Sequence, residues 1–363
     1  MVVSYGVMRS PPTSARKALR TGKLIEAQEL LASALAEEPD DAAIRADLAW
    51  AYYRANDFAR AAATFEKLPD SDPMVAKLRS FSEDAPYELS GPEQTVLPFL
   101  LTDPLPVVKL AVEEREICAL IDTGGAELIL DTEFAAEIGA SRFGAQEGIF
   151  AGGKRAAYEH GRVERVTLGE IELRRVPVHV LPTRRFSPIT AGRHQIDAII
   201  GTNLLAQFRV TLDYPAGRLV LERPAGLKES EGTEVPFITI GDHYMISDQG
   251  WLNGAGPLRF FVDSGLAGGA FTCPERTLKA AGIPVPETAE RGGVGGGGGP
   301  VATGVFQIDE LGLGPLRQQN LRGIFIEQEN GAQERKWDGL ISHGFLRHYR
   351  WTIDPQRSVF IFS

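Results

Sequence analysis

Two acidic triplets, Asp122-Thr123-Gly124 and Asp263-Ser264-Gly265, each close an apolar run (Leu120-Ile121 and Phe261-Val262). An ionised Asp is rarely placed at the end of a core strand unless it is paired or takes part in chemistry. An ordinary turn, a metal ligand or half of an acid–base pair would each explain one such residue. Two of them in one chain allow a specific chemistry. Carboxylates held about 3 Å apart cannot both ionise, so they share a proton, and one acts as base while the other acts as acid. A lone triplet is weak evidence of this, since composition alone yields one in roughly every five or six chains of this length.

The surroundings of the triplets repeat. DAIIGTNLLAQFRVTLDYPAGRLVLE starts at Asp197 and DGLISHGFLRHYRWTIDPQRSVFIFS at Asp338, each 75 residues after its triplet Asp. The two blocks align without a gap and share Asp197/Asp338, Ile200/Ile341, Leu205/Leu346, Arg209/Arg350, Thr211/Thr352 and Asp213/Asp354. Between triplet and block each half carries a short helical pattern (TEFAAEIGA, PERTLKAAGIP) and then a Gly-rich piece, GIFAGGK at 148–154 or GGVGGGGGP at 292–300. Such glycines suit flexible hairpin covers over a cleft. Neither piece has the Lys-Ser/Thr or the following helix of a phosphate loop. This is a duplicated lobe.

The arrangement over roughly residues 97–363 resembles the pepsin/retropepsin superfamily of aspartic proteases, with both lobes on one chain. The resemblance implies an endopeptidase with no cofactor and no metal, in which Asp122 and Asp263 activate a water for attack on a peptide bond. It implies that Thr123 and Ser264 hydrogen-bond across the lobe junction and that Gly124 and Gly265 let backbone and substrate come close. Gly201 and Ser342 would lie in the segments packed behind the active-site loops. Phe150, Ala151, Gly152 and Gly153, with Val294 and Gly295, would form two flaps over an extended peptide. The chain departs from the pattern at Ser342, where the family has Gly, and at Leu266, where it has a small residue. Ala126 and Ala267 occupy positions where retroviral relatives carry a substrate-binding carboxylate, and Tyr158 lies past the flap glycines.

The elements that must position these residues fall into a helical part and a β part. Residues 15–81 are Ala- and Leu-rich with few β-branched residues. Ala27, Leu31 and Pro39 recur 34 positions later as Ala61, Phe65 and Pro73, and Gly22 maps onto Asn56. That period resembles the tetratricopeptide repeat, in which a small residue lets two helices approach and a large one plugs the gap. Leu48, Ala49 and Tyr52 occupy the matching first-helix positions, and a capping helix is expected over 73–81. Two copies fall short of the three that a free-standing array wants, so the segment is expected to lean on its neighbour. After it, short Val/Ile/Leu/Phe runs alternate with Gly and Pro turns, as in an all-β region. The expected organisation is a helical segment at 1–85, a linker at 86–96, a first lobe at 97–224, an inter-lobe linker at 225–234 and a second lobe at 235–363. The fold class is therefore mainly β, two acid-protease-like barrels preceded by repeat-like helices.

Composition narrows the partners. A net charge of −10 argues against nucleic acid or an anionic membrane, and no run of eighteen apolar residues spans a bilayer. The expected partners are a protein or peptide substrate and a protein held by the repeats. No signal peptide is visible, which favours a cytoplasmic location, with a periplasmic or secreted one if the true start lies upstream. Cys118 and Cys273 give no disulfide framework and read as core thiols. The histidines at 160, 179, 194, 243, 343 and 348 show no metal-ligand spacing, with His343 and His348 read as packing or solvated residues. No G-x-S-x-G supports a serine hydrolase. The rival reading is a catalytically degenerate protease fold serving as an adapter through its repeats.

Overall fold

The computed structural model describes residues 13–68, 72–190, 192–224, 231–241, 244–294, 296–327 and 337–363. Five helices come first: α1 (Thr13–Arg20), α2 (Leu24–Glu37), α3 (Ala42–Arg54), α4 (Phe58–Phe65) and α5 (Asp72–Arg79). Asp41 and Asp57 start α3 and α4 by accepting backbone N–H bonds that the first turn of a helix leaves free. The repeat read from spacing has a structural counterpart. Gly22 and Asn56, the paired turn residues, both have positive φ (73° and 61°), the left-handed turn that reverses one helix onto the next. Ala27 and Leu31 on α2 and Ala61 and Phe65 on α4 are buried at the helix contacts. The last helix, α5, packs Val75 and Leu78 against that stack.

The helical segment leans on the β body. Helix α5 lies against the strands Ser141–Ile149 and Arg155–Leu168, and α1 against Ile238–Ile240 of the second half. The Asn56 amide donates to Gln207 at 3.0 Å and the Ser358 hydroxyl to the carbonyl of Thr21 at 3.1 Å. The Arg162 guanidinium sits 4.7 Å above the Phe81 ring and donates to the Ser80 carbonyl.

Among the described residues the β body consists of two eight-stranded sheets and a six-stranded sheet between them. Each outer sheet closes on itself into a barrel-like lobe. The strand Arg155–Leu168 pairs with both Val107–Val112 and Ile171–Leu181, and Pro300–Leu313 pairs with both Tyr244–Leu252 and Leu316–Ile326. In the first lobe the strand Arg115–Ile121 runs parallel to Ile196–Ile200. In the second, Ala255–Asp263 runs parallel to Gly339–Ser342. The duplicated blocks therefore lie directly beside the strands that end at the two triplets.

The six-stranded sheet joins the lobes around a pseudo-two-fold axis. Strands Arg209–Asp213 and Arg350–Asp354 pair antiparallel, with Thr211 opposite Thr352 and their hydroxyls 2.7 Å apart. Flanking that pair, Arg209 meets Asp354 at 3.5 Å and Arg350 meets Asp213 at 3.8 Å. Three of the six shared pairs, Arg209/Arg350, Thr211/Thr352 and Asp213/Asp354, meet across the axis.

Two expected linkers need correction. The polar stretch at 86–96 holds the strand Glu88–Ser90, paired with Ile171–Leu181, and the start of Gln94–Pro98, paired with Arg218–Glu222. In the latter only Thr95 and Leu97 face inward, so an edge strand with one buried side reads as polar. Residues 225–230 of the second linker lie outside the described residues. Its end belongs to the strand Thr233–Pro236, which pairs with Val359–Phe362.

Candidate active site

Each triplet leaves a buried strand at the seam between the lobes. Thr123 and Ser264 are wholly buried, and their bonds are reciprocal. The Thr123 hydroxyl donates to the Val262 carbonyl at 2.9 Å and accepts the Ser264 N–H at 3.0 Å. The Ser264 hydroxyl donates to the Ile121 carbonyl at 2.9 Å and accepts the Thr123 N–H at 3.1 Å. Thr123 and Ser264 lie 141 positions apart, the separation of Thr211 and Thr352 in the central sheet. The same pseudo-two-fold axis thus runs through both.

The carboxylates are held in matching fashion. Each accepts the N–H of its own glycine at 2.7 Å, Gly124 for Asp122 and Gly265 for Asp263. Each also lies against the glycine of the opposite loop. A methyl group on Gly124 would come within 2.6 Å of an Asp263 carboxylate oxygen, and one on Gly265 within 2.2 Å of Asp122. Such contacts are impossible for a real side chain, so both positions require glycine on grounds of space. Both Asp residues are partly exposed.

The segments behind the loops differ between lobes, which accounts for two departures. Gly201 donates its N–H to the Glu127 carbonyl at 3.1 Å, and a Cβ there would sit 2.3 Å from that oxygen. Its counterpart Ser342 donates to the Ala270 carbonyl at 2.9 Å. Leu128 pairs with Ile200 and Phe271 with Ile341, so the second loop takes longer to reach the equivalent pairing position. The extra length makes room for a serine, whose hydroxyl accepts the Leu266 N–H at 3.2 Å and donates to the Asp263 carbonyl. The tight approach moves to Gly344, where a Cβ would lie 2.7 Å from the backbone of Gly269 and Ala270. Leu266 packs on a cluster of Ile240, Ile246, Phe261 and Leu340.

Phe150, Ala151, Gly152 and Gly153 form the tip of the hairpin Ser141–Ile149/Arg155–Leu168, with Gly152 at φ 76°. Val294 ends the strand Ala289–Val294 of the matching second hairpin, and Gly295 lies outside the described residues. The tips meet. The Phe150 ring lies over Gly297, where a Cβ would fall 2.4 Å from it, and Gly152 abuts Val301. Arg185 ties the second tip to the first lobe by donating to the Gly297 carbonyl at 2.7 Å. Phe150 and Ala267 both pack on the cluster that contains Leu105, Leu120 and Ile199. Tyr158 belongs to the hairpin stem, opposite Gln146.

Sequence reasoning missed a polar cluster beside this site. Glu127 and Lys77 are both fully buried, with the Lys77 Nζ 2.6 Å from the carboxylate. The Tyr53 hydroxyl also donates to Glu127, and His179 stands 3.5 Å away. Burial alone would raise the Glu127 carboxyl, but Lys77, His179 and the Tyr53 hydroxyl together bring it below the usual carboxylate range. His160 and His179 are cross-strand partners with ring centroids 5.0 Å apart, a contact their spacing in sequence conceals. Burial, then Lys77 and His179, push the His160 imidazole strongly down. The signal for the cluster was a lone carboxylate in the apolar run Ala126–Leu130. Elsewhere, burial lowers His343, beside Ser342, to about 4 and pushes the Cys273 thiol up to about 12, while Cys118 is only half-buried.

Comparison with known proteins places these features. Residues 18–81 match the profile of a family described as tetratricopeptide repeat. Residues 108–204 and 249–344, together more than half of the chain, match that of a family described as aspartyl protease. Among solved structures the chain is similar to basic 7S globulin from soybean, at 12% identity and a TM-score of 0.45 over 77% of this chain and 95% of that one. It is also similar to a retropepsin-like aspartic protease from Rickettsia conorii, at 16% identity and a TM-score of 0.25 over 38% of this chain and 94% of that one. No curated protein matches the sequence.

Proposed function

The chain belongs to the aspartyl protease family, and from that premise we propose that it is an aspartic endopeptidase working through Asp122 and Asp263. The observation that carries this reading is the reciprocal seating of each carboxylate against the opposite loop's glycine, fixed from below by the crossed Thr123 and Ser264 bonds. One carboxylate, ionised, takes a proton from a water lying between the two. The other, protonated, donates its proton to the carbonyl oxygen of the scissile peptide as the water attacks. The tetrahedral species then collapses with proton transfer to the leaving amine, and the pair returns to holding one proton. The N–H groups of Gly124 and Gly265 keep each carboxylate oriented through the cycle.

In this reading the two touching flap tips part to admit an extended peptide and close over it, excluding water from the dyad. The helical repeats recruit a substrate protein or regulate access to the cleft. The rival adapter reading draws on the large Leu266 and on Ser342. The packing of Leu266 on an apolar cluster and the bonding of Ser342 within its own loop weaken that objection. The test is cleavage of casein or a peptide library at pH 4 to 7, with fragments identified by mass spectrometry. Asp122→Ala and Asp263→Ala should each abolish every fragment. Fragments that persist in either variant would reject the dyad.

A further inference from the structure

The Asp122 turn is held from behind by backbone bonds. Asp122 donates its N–H to the Ile200 carbonyl at 3.0 Å, Thr202 donates to Gly125 at 3.0 Å, and Asn203 donates to Ala126 at 2.7 Å. Glu127 closes this set, because its carbonyl accepts the Gly201 N–H. Its side chain reaches the boundary between the first lobe and the helices. It meets Lys77 from α5, the Tyr53 hydroxyl from α3 and His179 from the strand Ile171–Leu181. The Asn203 amide donates to the Tyr53 hydroxyl at 3.0 Å, so the network returns to the segment behind the dyad.

In the second lobe the carbonyl that plays the part of Glu127 belongs to Ala270, a small apolar residue. The duplication is broken here, at a position where the helices reach the lobe. Two fully buried charges are an uneconomical glue, since apolar residues of the same volume generally hold a contact as well or better. In some proteins an ion pair with added hydrogen bonds instead fixes one register.

We propose that Lys77 and Glu127 are positioning residues for the Asp122 half of the dyad, so that the helical segment is a working part of the hydrolytic site. The proposal rests on the aspartic endopeptidase reading given above. Neither residue touches substrate. Each acts by fixing the turn from which Asp122 projects.

The test uses the full chain and its best cleaved peptide, comparing wild type with Lys77→Met, Glu127→Gln and the double variant. Misplacing a reacting group by a fraction of an ångström to 1 Å costs up to about 100-fold in rate. Each single variant should therefore lose about 10- to 100-fold in kcat per folded molecule, with KM within about twofold because the flap tip at 150–153 is untouched. The double variant leaves no charge unpaired and should recover several-fold over Lys77→Met.

In Lys77→Met the groups facing Glu127 are Tyr53, Tyr87 and His179, with His160 against the His179 ring. Without the ammonium, the buried carboxylate takes up a proton more readily, so the deficit should shrink as pH falls. A purely structural ion pair would lower Tm while leaving kcat per folded molecule and its pH profile unchanged, and that result overturns the proposal. If Lys77→Met does not fold, Tyr53→Phe, which deletes one hydroxyl, carries the test, and a kcat equal to wild type is then the contrary result. A wild type without dyad-dependent cleavage removes both readings, whereas an active wild type matched by its variants removes this one alone.

Discussion

Replacing Thr123 by valine keeps the shape of the side chain and deletes one hydroxyl at the seam of the lobes. That hydroxyl pairs with two backbone groups of the other lobe, the Val262 carbonyl at 2.9 Å and the Ser264 N–H at 3.0 Å. Thr123 is 0% exposed, so solvent cannot take over either bond. Each buried group left unpaired costs about 1–3 kcal/mol, which places the loss for Thr123→Val at about 2–6 kcal/mol. The change also loosens the register of Val262 and Ser264, the residues that bracket Asp263, so kcat should fall by at least about 10-fold. Urea unfolding followed through the lobe transition gives the first quantity, and initial rates on a reporter peptide give the second. Thr211→Val is the control, since its hydroxyl meets that of Thr352 at 2.7 Å in the central sheet. It leaves one buried hydroxyl unpaired, so it should cost about 1–3 kcal/mol and leave kcat alone. A Thr123→Val variant within about 0.5 kcal/mol of wild type and equally active would refute the claim that these crossed bonds hold the dyad together.

Two further outcomes follow from single side chains. Gly265→Ala would put a methyl group 2.2 Å from the Asp122 carboxyl carbon, so one of them must move. Peptidase activity should fall by about 100-fold or more while the chain still unfolds cooperatively, and an active variant would contradict the close seating of the loops. His343 is 2% exposed, and burial holds it neutral down to about 4, below the ordinary 6.5 of the unfolded chain. The unfolded state therefore takes up this proton first as pH falls. Stability drops between pH 6.5 and 4, by about 3 kcal/mol at most, and this contribution changes no further below that window. His343→Gln should flatten that slope in denaturation curves taken at successive pH values, and an unchanged slope would show that His343 is not its source.

The triplets and blocks were legible because duplication wrote them twice at one spacing, and the axis that relates Thr211 to Thr352 also relates Thr123 to Ser264. The repeat was legible because left-handed turns select residues such as Gly22 and Asn56. The ion pair was not, because a lysine in a short helix reads as a solvated residue until a partner 50 positions away is brought against it. Likewise, His160 and His179 become neighbours only through strand register, which a linear scan for metal-ligand spacing does not test. The strands within 88–98 escaped notice because an edge strand half in water lacks an apolar run. The longer second loop was hidden by the equal distances from triplet to block, since length gained at the loop is lost further along.

The most direct measurement is the dependence of kcat/KM on pH for wild type acting on its best peptide. Paired carboxylates that hold one proton between them give a bell, with activity lost on the acid side when both are protonated and on the alkaline side when both are ionised. The account predicts that bell, and its disappearance with all activity in Asp122→Asn and in Asp263→Asn. A profile with a single limb, or cleavage that survives with one of the two carboxylates gone, would contradict a proton shared at the seam.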